Sequence, residues 1–342
     1  MKIAVVAGGT LGHIKPGLVI AQELSKKHDV IFITSKKDER FAILNNCAFL
    51  KKVYYIESDG LKKNIIKSLK VIIKDVKAIK EIRKIINEEH ISMVIGMGGY
   101  ISGLAILGAP HKVKKIIHEQ NKIMGLANKI VLNKVDKILL TFDLNLKDIY
   151  KKKSIVVSNP CLFVNHSNQI KEKSNILITS GSNGAYEINQ LAIKLINNNL
   201  LSNYHLTLVT GKKYYEDVIS KLTNNNNVDI YPFIENLENY ISSSSIIISR
   251  AGSATIFESL SSNTIPLLFP SSNVTNNHQY YNAMEIVTNG LGEIISDDDV
   301  IKKIHKVNNH YNDYVTNIKR YKKKYNLNKI INIIEEELIS IN

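Results

Sequence analysis

Lys2-Ile3-Ala4-Val5-Val6-Ala7 runs directly into Gly8-Gly9-Thr10-Leu11-Gly12-His13, with Pro16 three residues beyond the histidine. An unbroken apolar run that short reads as a strand buried on both faces, and glycine is what lets such a strand turn sharply into a helix. Working outward, the same grammar recurs at residues 30–34, 93–96, 115–118, 137–141 and 154–157, where strands are followed by glycine-bearing or polar loops and mostly by helices. It restarts at 175–179 and continues through 205–210, 228–231, 246–249 and 266–269, after Asn159-Pro160 and a polar stretch over 165–174. The expected fold is therefore α/β, two Rossmann-like doubly wound domains, residues 1–160 and 161–324. Ligands in such sheets bind at the carboxyl ends of strands. Two sheets with their loops facing each other would line a central cleft. The tail from Val315 to Asn342 reads as helix, and the part from about residue 325 is expected to pack back on the first domain.

Bulk composition narrows the class. At 342 residues, 44% hydrophobic and 22% charged, the chain suits a soluble protein of two average domains. It has no apolar run long enough to span a bilayer, and its N-terminus lacks the extended apolar core of a signal peptide, so a cytoplasmic chain is expected. Cys47 and Cys161 form neither a disulfide framework nor a metal pattern and read as free thiols. The net charge of +14 suits an anionic partner. Only four of the 45 basic residues are Arg, and Lys, Asn and Ile abound while Trp is absent, so part of the excess reflects coding bias. Nucleic acid is not expected, because no binding motif and no interleaving of basic and aromatic residues is present.

Three more glycine loops follow expected strands: Gly98-Gly99-Tyr100-Ile101-Ser102-Gly103, Ser180-Gly181-Ser182-Asn183-Gly184, and Arg250-Ala251-Gly252-Ser253-Ala254-Thr255 with Glu258 beyond. None has dinucleotide-fingerprint or P-loop spacing, and any one alone is explained by a plain turn. Four at strand ends, two per half, favour phosphate-bearing ligands held by backbone N–H groups at helix N-termini. Arg250 stands out in a lysine-using chain, either as a bidentate phosphate ligand or as half of a buried ion pair. His13 reads as a general base, a loop hydrogen-bond donor or a helix cap. His118-Glu119-Gln120-Asn121 gathers four polar side chains at a strand end, with no second cluster at metal-ligand spacing.

Residues 61–90 carry nine Lys/Arg and four Asp/Glu, with apolar residues in helical rhythm at Ile65, Leu69, Ile72, Val76, Ile79 and Ile86. Such a helix either packs on a core with a solvated lysine face or lies on an anionic membrane. Its lipid-facing part is expected around Ile65, Ile66 and Leu69, flanked by Lys62, Lys63 and Lys67.

Taken in order, Gly8–Pro16, Gly98–Gly103, His118–Asn121 with Gly125-Leu126-Ala127-Asn128, Asn159-Pro160, Gly181–Gly184, Arg250–Glu258 and His278-Gln279 with Asn282-Ala283 resemble the MurG family of glycosyltransferase family 28. These are the N-acetylglucosaminyltransferases that complete the lipid-linked precursor of bacterial peptidoglycan. The resemblance implies a GT-B architecture and inverting transfer from UDP-N-acetylglucosamine (UDP-GlcNAc) to undecaprenyl-pyrophosphoryl-muramoylpentapeptide, with no cofactor or metal, at the cytoplasmic face of the membrane. It implies that Glu258 holds the ribose, and that Ser182, Ala254 and Thr255 lie near the diphosphate. Arg250, Thr10, Gly12 and Asn121 are implied on the donor, and His278, Gln279 and Asn282 on its sugar. The implied catalytic residues are His13, as base, and Glu119, which lines the cleft with Asn121; Gly9, Gly98, Gly99 and Tyr100 are implied to form acceptor-phosphate loops. The chain departs from the family at Leu11-Gly12 (usually Gly-Gly), at Leu162 (usually Arg) and at Ser180 (usually Gly). A diacylglycerol-type acceptor, a UDP-sugar 2-epimerase and a non-catalytic nucleotide-sugar binder are the alternatives.

Overall fold

Ile3, Ala4, Val5 and Val6 are all fully buried, the condition under which a strand reads as continuous apolar sequence rather than alternation. The computed structural model describes residues 1–58, 69–164, 172–181, 184–223, 227–271 and 277–340, with the backbone alone for 69–71, 172 and 173. Two compact units emerge, one of Met1–Cys161 with Tyr325–Asn342, the other of Leu162–Lys324.

The first unit runs β1 (Lys2–Val6), α1 (Leu11–Leu24), β2 (Asp29–Ser35), β3 (Lys52–Ile56), α2 (Leu69–Glu88), β4 (Met93–Gly96), α3 (Tyr100–Gly108), β5 (Lys114–Glu119), α4 (Leu126–Val131), β6 (Lys137–Leu140), α5 (Asp148–Lys151) and β7 (Ser154–Val156). Its strands are all parallel in the order β3-β2-β1-β4-β5-β6-β7. The chain reverses direction across the sheet between β1 and β4, the point where loops splay apart and leave room for a ligand. Helices α2, α3 and α4 form one covering layer, with Ala78, Ile82, Ile86, Leu104, Ala105 and Val131 in the shared core.

The second unit runs β8 (Glu172–Thr179), α6 (Tyr186–Asn197), β9 (His205–Val209), α7 (Tyr215–Lys221), β10 (Val228–Tyr231), α8 (Leu237–Ser243), β11 (Ser244–Ser249), α9 (Ser253–Ser261), β12 (Ile265–Leu268), α10 (His278–Thr288), β13 (Glu293–Ile294), α11 (Val300–Asn309) and α12 (Tyr311–Lys323). Its parallel order is β10-β9-β8-β11-β12-β13, with the switch point between β8 and β11.

Two strands lie outside the expected set. β3 is a half-buried edge strand whose Lys52, Tyr54 and Tyr55 give no apolar run, and β13 is two residues long. The tail is also two helices rather than one. A break over 324–326 ends α12, and the Asn326 side chain caps α13 (Leu327–Ile339) by accepting from the Asn328 N–H at 2.8 Å. Within the first unit α13 buries Ile330, Ile334 and Leu338, and its Glu335 and Glu337 reach Lys27 and Lys137, each at 3.1 Å.

Glycine is indispensable where loops cross. Gly99 has φ +80, and a Cβ there would collide with the Gly8 carbonyl oxygen. Gly252 has an ordinary φ of −74 and nothing within 4 Å of a Cβ position. Gly99→Ala is expected to cost about 2 kcal/mol or more, and Gly252→Ala about 1 kcal/mol at most. Urea unfolding of both variants checks this, and equal losses would contradict the crossing-loop account.

Candidate functional site

In the first unit the loops after β1, β4 and β5 are knitted to one another. The Gly9 N–H donates to Asp38 Oδ2 at 2.9 Å, and Thr34 Oγ1 donates to the same oxygen at 2.8 Å. Asp38 is fully buried behind β2, so it fixes the first glycine loop from beneath. His13, in the first turn of α1, packs on the second loop: a Cβ at Gly98 would lie 2.5 Å from its Nδ1. Thr10 is exposed at the helix start, and its carbonyl accepts from the His13 and Ile14 N–H groups. Gly12 follows in the same first turn. Tyr100 opens α3, and its hydroxyl donates to Asp75 on α2. That partnership and burial raise the phenol above its ordinary range.

The polar cluster after β5 serves the same end. Gln120 Nε2 donates to the Met97 carbonyl at 2.6 Å, joining the β4 and β5 loops. Glu119 is buried and accepts from the Asn121 N–H and the Gly125 N–H, both at 2.9 Å, and from Asn128 Nδ2 at 2.8 Å. Burial pushes this carboxyl up against those hydrogen bonds. Both Glu119 oxygens thus accept from the loop after β5 and from α4; Asn121 is the half-exposed member of the cluster.

In the second unit the loops flanking the switch point follow β8 and β11. Gly252 caps α9, whose first turn holds Ala254 and half-buried Thr255, and Glu258 lies one turn on along the same face, 6% exposed. Arg250 pairs with Glu187 on α6, donates to the Phe269 carbonyl at 3.2 Å and stacks on the Phe269 ring. The ion pair that was one reading of Arg250 is present in the fold. Two α10 residues also turn inward. Asn282 Nδ2 donates to the Ala251 carbonyl at 3.2 Å, and Gln279 Oε1 accepts from the Ser271 N–H at 2.9 Å. They hold the β11 and β12 loops, while His278 is half-buried in the first turn of α10. Leu162, at the position where an Arg was the expectation, is 2% exposed in a short turn over Pro160–Phe163. Ser182 lies outside the described residues, as do Lys62, Lys63, Ile65, Ile66 and Lys67; of Leu69 only the backbone is described.

The sequence reading missed Asp38, Thr34 and the exposed Phe233, whose ring has Lys212 Nζ 5.5 Å from its centroid at the ends of β9 and β10. Only the acidic residue just past an expected strand end hinted at the first. No group of three His, Cys, Asp or Glu side chains suited to a metal ion occurs among the described residues.

Comparison with known proteins agrees with this layout. The family models for the glycosyltransferase family 28 N-terminal and C-terminal domains match residues 3–140 and 175–336. A Leuconostoc mesenteroides relative is 34% identical over 315 residues, covering 87% of this chain and 86% of its own length. Its name is UDP-N-acetylglucosamine–N-acetylmuramyl-(pentapeptide) pyrophosphoryl-undecaprenol N-acetylglucosamine transferase. The chain belongs to glycosyltransferase family 28. A Bacillus cytotoxicus protein of the same name is 30% identical, covering 88% and 87% of the two chains. Among solved structures, Acinetobacter baumannii MurG superposes with a TM-score of 0.71 at 20% identity, over 98% of this chain and 99% of that one. The calicheamicin glycosyltransferase CalG4 superposes at 0.70 with 9% identity, over 99% and 98%. At such identities these likenesses speak to the two-unit GT-B fold.

His118 links β5 to the turn before Pro160: its Nε2–H donates to the Ser158 carbonyl at 3.1 Å. Complete burial drops its pKa from 6.5 to about 4. The folded chain thus holds this proton less tightly than the unfolded one, so acid favours unfolding. The stability is whole above pH 6.5 and is lost as pH falls toward 4, by about 3 kcal/mol at most. Urea midpoints at pH 7 and pH 5 are expected to drop more steeply for the unaltered protein than for His118→Gln. Parallel drops would remove His118 as the source.

Proposed function

We propose that this family 28 enzyme transfers N-acetylglucosamine from UDP-GlcNAc to undecaprenyl-pyrophosphoryl-muramoylpentapeptide, with inversion at the anomeric carbon. The observation that carries this reading is the match to transferases of that activity along both units, 34% identical over 87% of the chain. The geometry agrees with it: Gly252 leaves open space at the N-terminus of α9, and Glu258 lies one turn along. In this reading the UDP diphosphate lies against the first turn of α9, near Gly252, Ala254 and Thr255, with Ser182 on the same anion. Oriented N–H groups there stabilise the dianion as it leaves. Glu258 accepts hydrogen bonds from the ribose hydroxyls, and His278 addresses the sugar. Gln279, Asn282 and Arg250 act as positioning residues that hold the donor loops.

The first unit takes the acceptor. Gly9, Gly98, Gly99 and Tyr100 cradle its pyrophosphate, and Thr10, Gly12 and Asn121, on the same loops, are the residues that the resemblance assigns to the donor. His13 takes the proton from the attacking hydroxyl. Incubation with labelled UDP-GlcNAc and membranes bearing the muramoyl lipid is expected to yield labelled lipid. Epimerised UDP-sugar beside unchanged lipid would reject the transfer, and labelled diacylglycerol would redirect it. Glu258→Ala and Gly252→Ala are expected to raise the donor KM at least tenfold while the acceptor KM stays within about twofold. An equal rise in both would detach these residues from the donor.

The enzyme works on the cytoplasmic membrane surface in this reading. No described helix is long and apolar enough to cross a membrane. The support is an apolar, lysine-studded face on the α2–α4 layer: Ile72, Ile73 and Val76 on α2, and Leu126 and Ile130 on α4, are each about half exposed. Lys77, Lys80 and Lys129 are exposed on the same helices. That is an anionic-lipid surface chemistry. Flotation with vesicles is expected to require anionic phospholipid, to weaken with salt, and to fall severalfold in an Ile72→Ser/Ile73→Ser/Leu126→Ser/Ile130→Ser variant. Salt-independent flotation, or none lost in the variant, would remove the patch from the account.

A further inference from the structure

Helix α3 starts at the second glycine loop and is held by α2 at both of its ends. At its start the Tyr100 hydroxyl donates to Asp75 Oδ2. At its finish Arg83 Nε donates to the Gly108 carbonyl at 3.0 Å. Each pair is 25 residues apart in sequence, so the two helices run parallel and in register. Two side chains of α2, about 12 Å apart along its axis, thus clamp α3.

The two clamps differ in kind. Arg83 closes a carbonyl at a helix end, an ordinary structural task. Asp75 spends a carboxylate on a side chain at the mouth of the glycine loop, and its Oδ1 is buried with no hydrogen-bond partner. A half-satisfied carboxylate costs stability. Packing alone does not call for it, because the Tyr100 ring already packs on the core shared by these helices.

A hydroxyl has one proton to give, and here Asp75 receives it. Burial, and then that hydrogen bond, raise the phenol above its ordinary range, so the proton stays on it. The phenol therefore has no hydrogen left to donate to a pyrophosphate. What Tyr100 offers an anion is the start of α3: its own backbone N–H and those of Ile101 and Ser102, which find no partner within the helix. Gly99 leaves no slack beside them, since its backbone already lies against the Gly8 carbonyl. A shift of the Tyr100 ring moves those N–H groups with it.

We infer that Asp75 is a positioning residue for the acceptor, holding the Tyr100 phenol so that the N–H groups at the start of α3 meet the pyrophosphate. The inference deepens the acceptor reading of this loop and rests on it. In it the tyrosine hydroxyl serves Asp75 and not the substrate.

The test compares Asp75→Ala, Asp75→Asn, Tyr100→Phe, Tyr100→Phe/Asp75→Ala and Arg83→Ala in the full chain. Donor KM, acceptor KM and urea midpoint are read for each. Asp75→Ala is expected to raise the acceptor KM about tenfold while the donor KM stays within about twofold. Asp75→Asn, whose amide oxygen still accepts from the phenol, is expected to stay within about threefold of the unaltered enzyme. Arg83→Ala removes the other clamp and lowers the urea midpoint, yet its acceptor KM is expected to stay within about twofold. That contrast separates positioning from stability. Tyr100→Phe leaves both Asp75 oxygens without a donor, so removing the carboxylate as well is expected to cost nothing more. Additive losses in the double variant, an acceptor KM unmoved in Asp75→Ala, or an equal rise in Arg83→Ala overturns the inference and leaves the transfer reading standing. If the unaltered enzyme transfers no sugar to the muramoyl lipid, that reading falls, and calorimetric titration with farnesyl pyrophosphate tests the loop alone. Binding that weakens in Asp75→Ala but not in Arg83→Ala then supports the inference. No binding to the unaltered chain, or an equal loss in both variants, overturns it.

Discussion

The approach of the Gly99 backbone to the Gly8 carbonyl is the constraint on which the first unit's site depends. Two loops leaving adjacent strands β1 and β4 occupy one small volume at the switch point, and only residues without a Cβ permit it. From that crossing follow the rest of the local contacts. Gly98, at φ +102, leaves the space that the His13 ring fills. Gly9 turns its N–H down onto Asp38, and Met97 offers its carbonyl to Gln120. The candidate groups are presented by loops, and those loops are tied by side-chain hydrogen bonds to one another and to the segment after β2.

That firmness comes from polar side chains that reach the loops at strand ends. Asp38 and Glu119 in the first unit, and Asn282 and Gln279 in the second, each bond to the backbone of a neighbouring loop. A buried carboxylate is costly unless its oxygens are satisfied by donors. Glu119 is satisfied by two backbone N–H groups and an amide, and so ties the loop after β5 to α4. Arg250 follows the same logic with Glu187, tying the α9 loop to α6. Leu162 belongs to the buried interior.

The lysine excess is also partly structural. Lys115 donates to the Pro110 and Val113 carbonyls, Lys153 to those of Leu132 and Val135, and Lys322 to that of Ser261 at the end of α9. Burial lowers the pKa of all three. These ammonium groups close carbonyls that helix ends and turns leave open. Net charge alone therefore overstates how many lysines are offered to an anionic partner. The exposed ones interleaved with Ile72, Ile73, Leu126 and Ile130 are the fraction available to the proposed membrane contact.

Strand and loop positions were legible from residue order because parallel strands buried on both faces must be continuous β-branched runs, and their turns must contain glycine. β4 and β10 fall at the expected residues, Met93–Gly96 and Val228–Tyr231. The family was legible too, because its loops recur in order along the whole chain. β3 was not: an edge strand half open to water has no need of an apolar run. Tertiary structure alone decided which polar residues face a ligand and which face the protein. Glu187 is 63 residues from Arg250, and Asp38 is 29 from Gly9. A carboxylate shows the same letter whether it meets a substrate or a backbone amide. The partner that settles its role is brought to it only by the folding of distant segments.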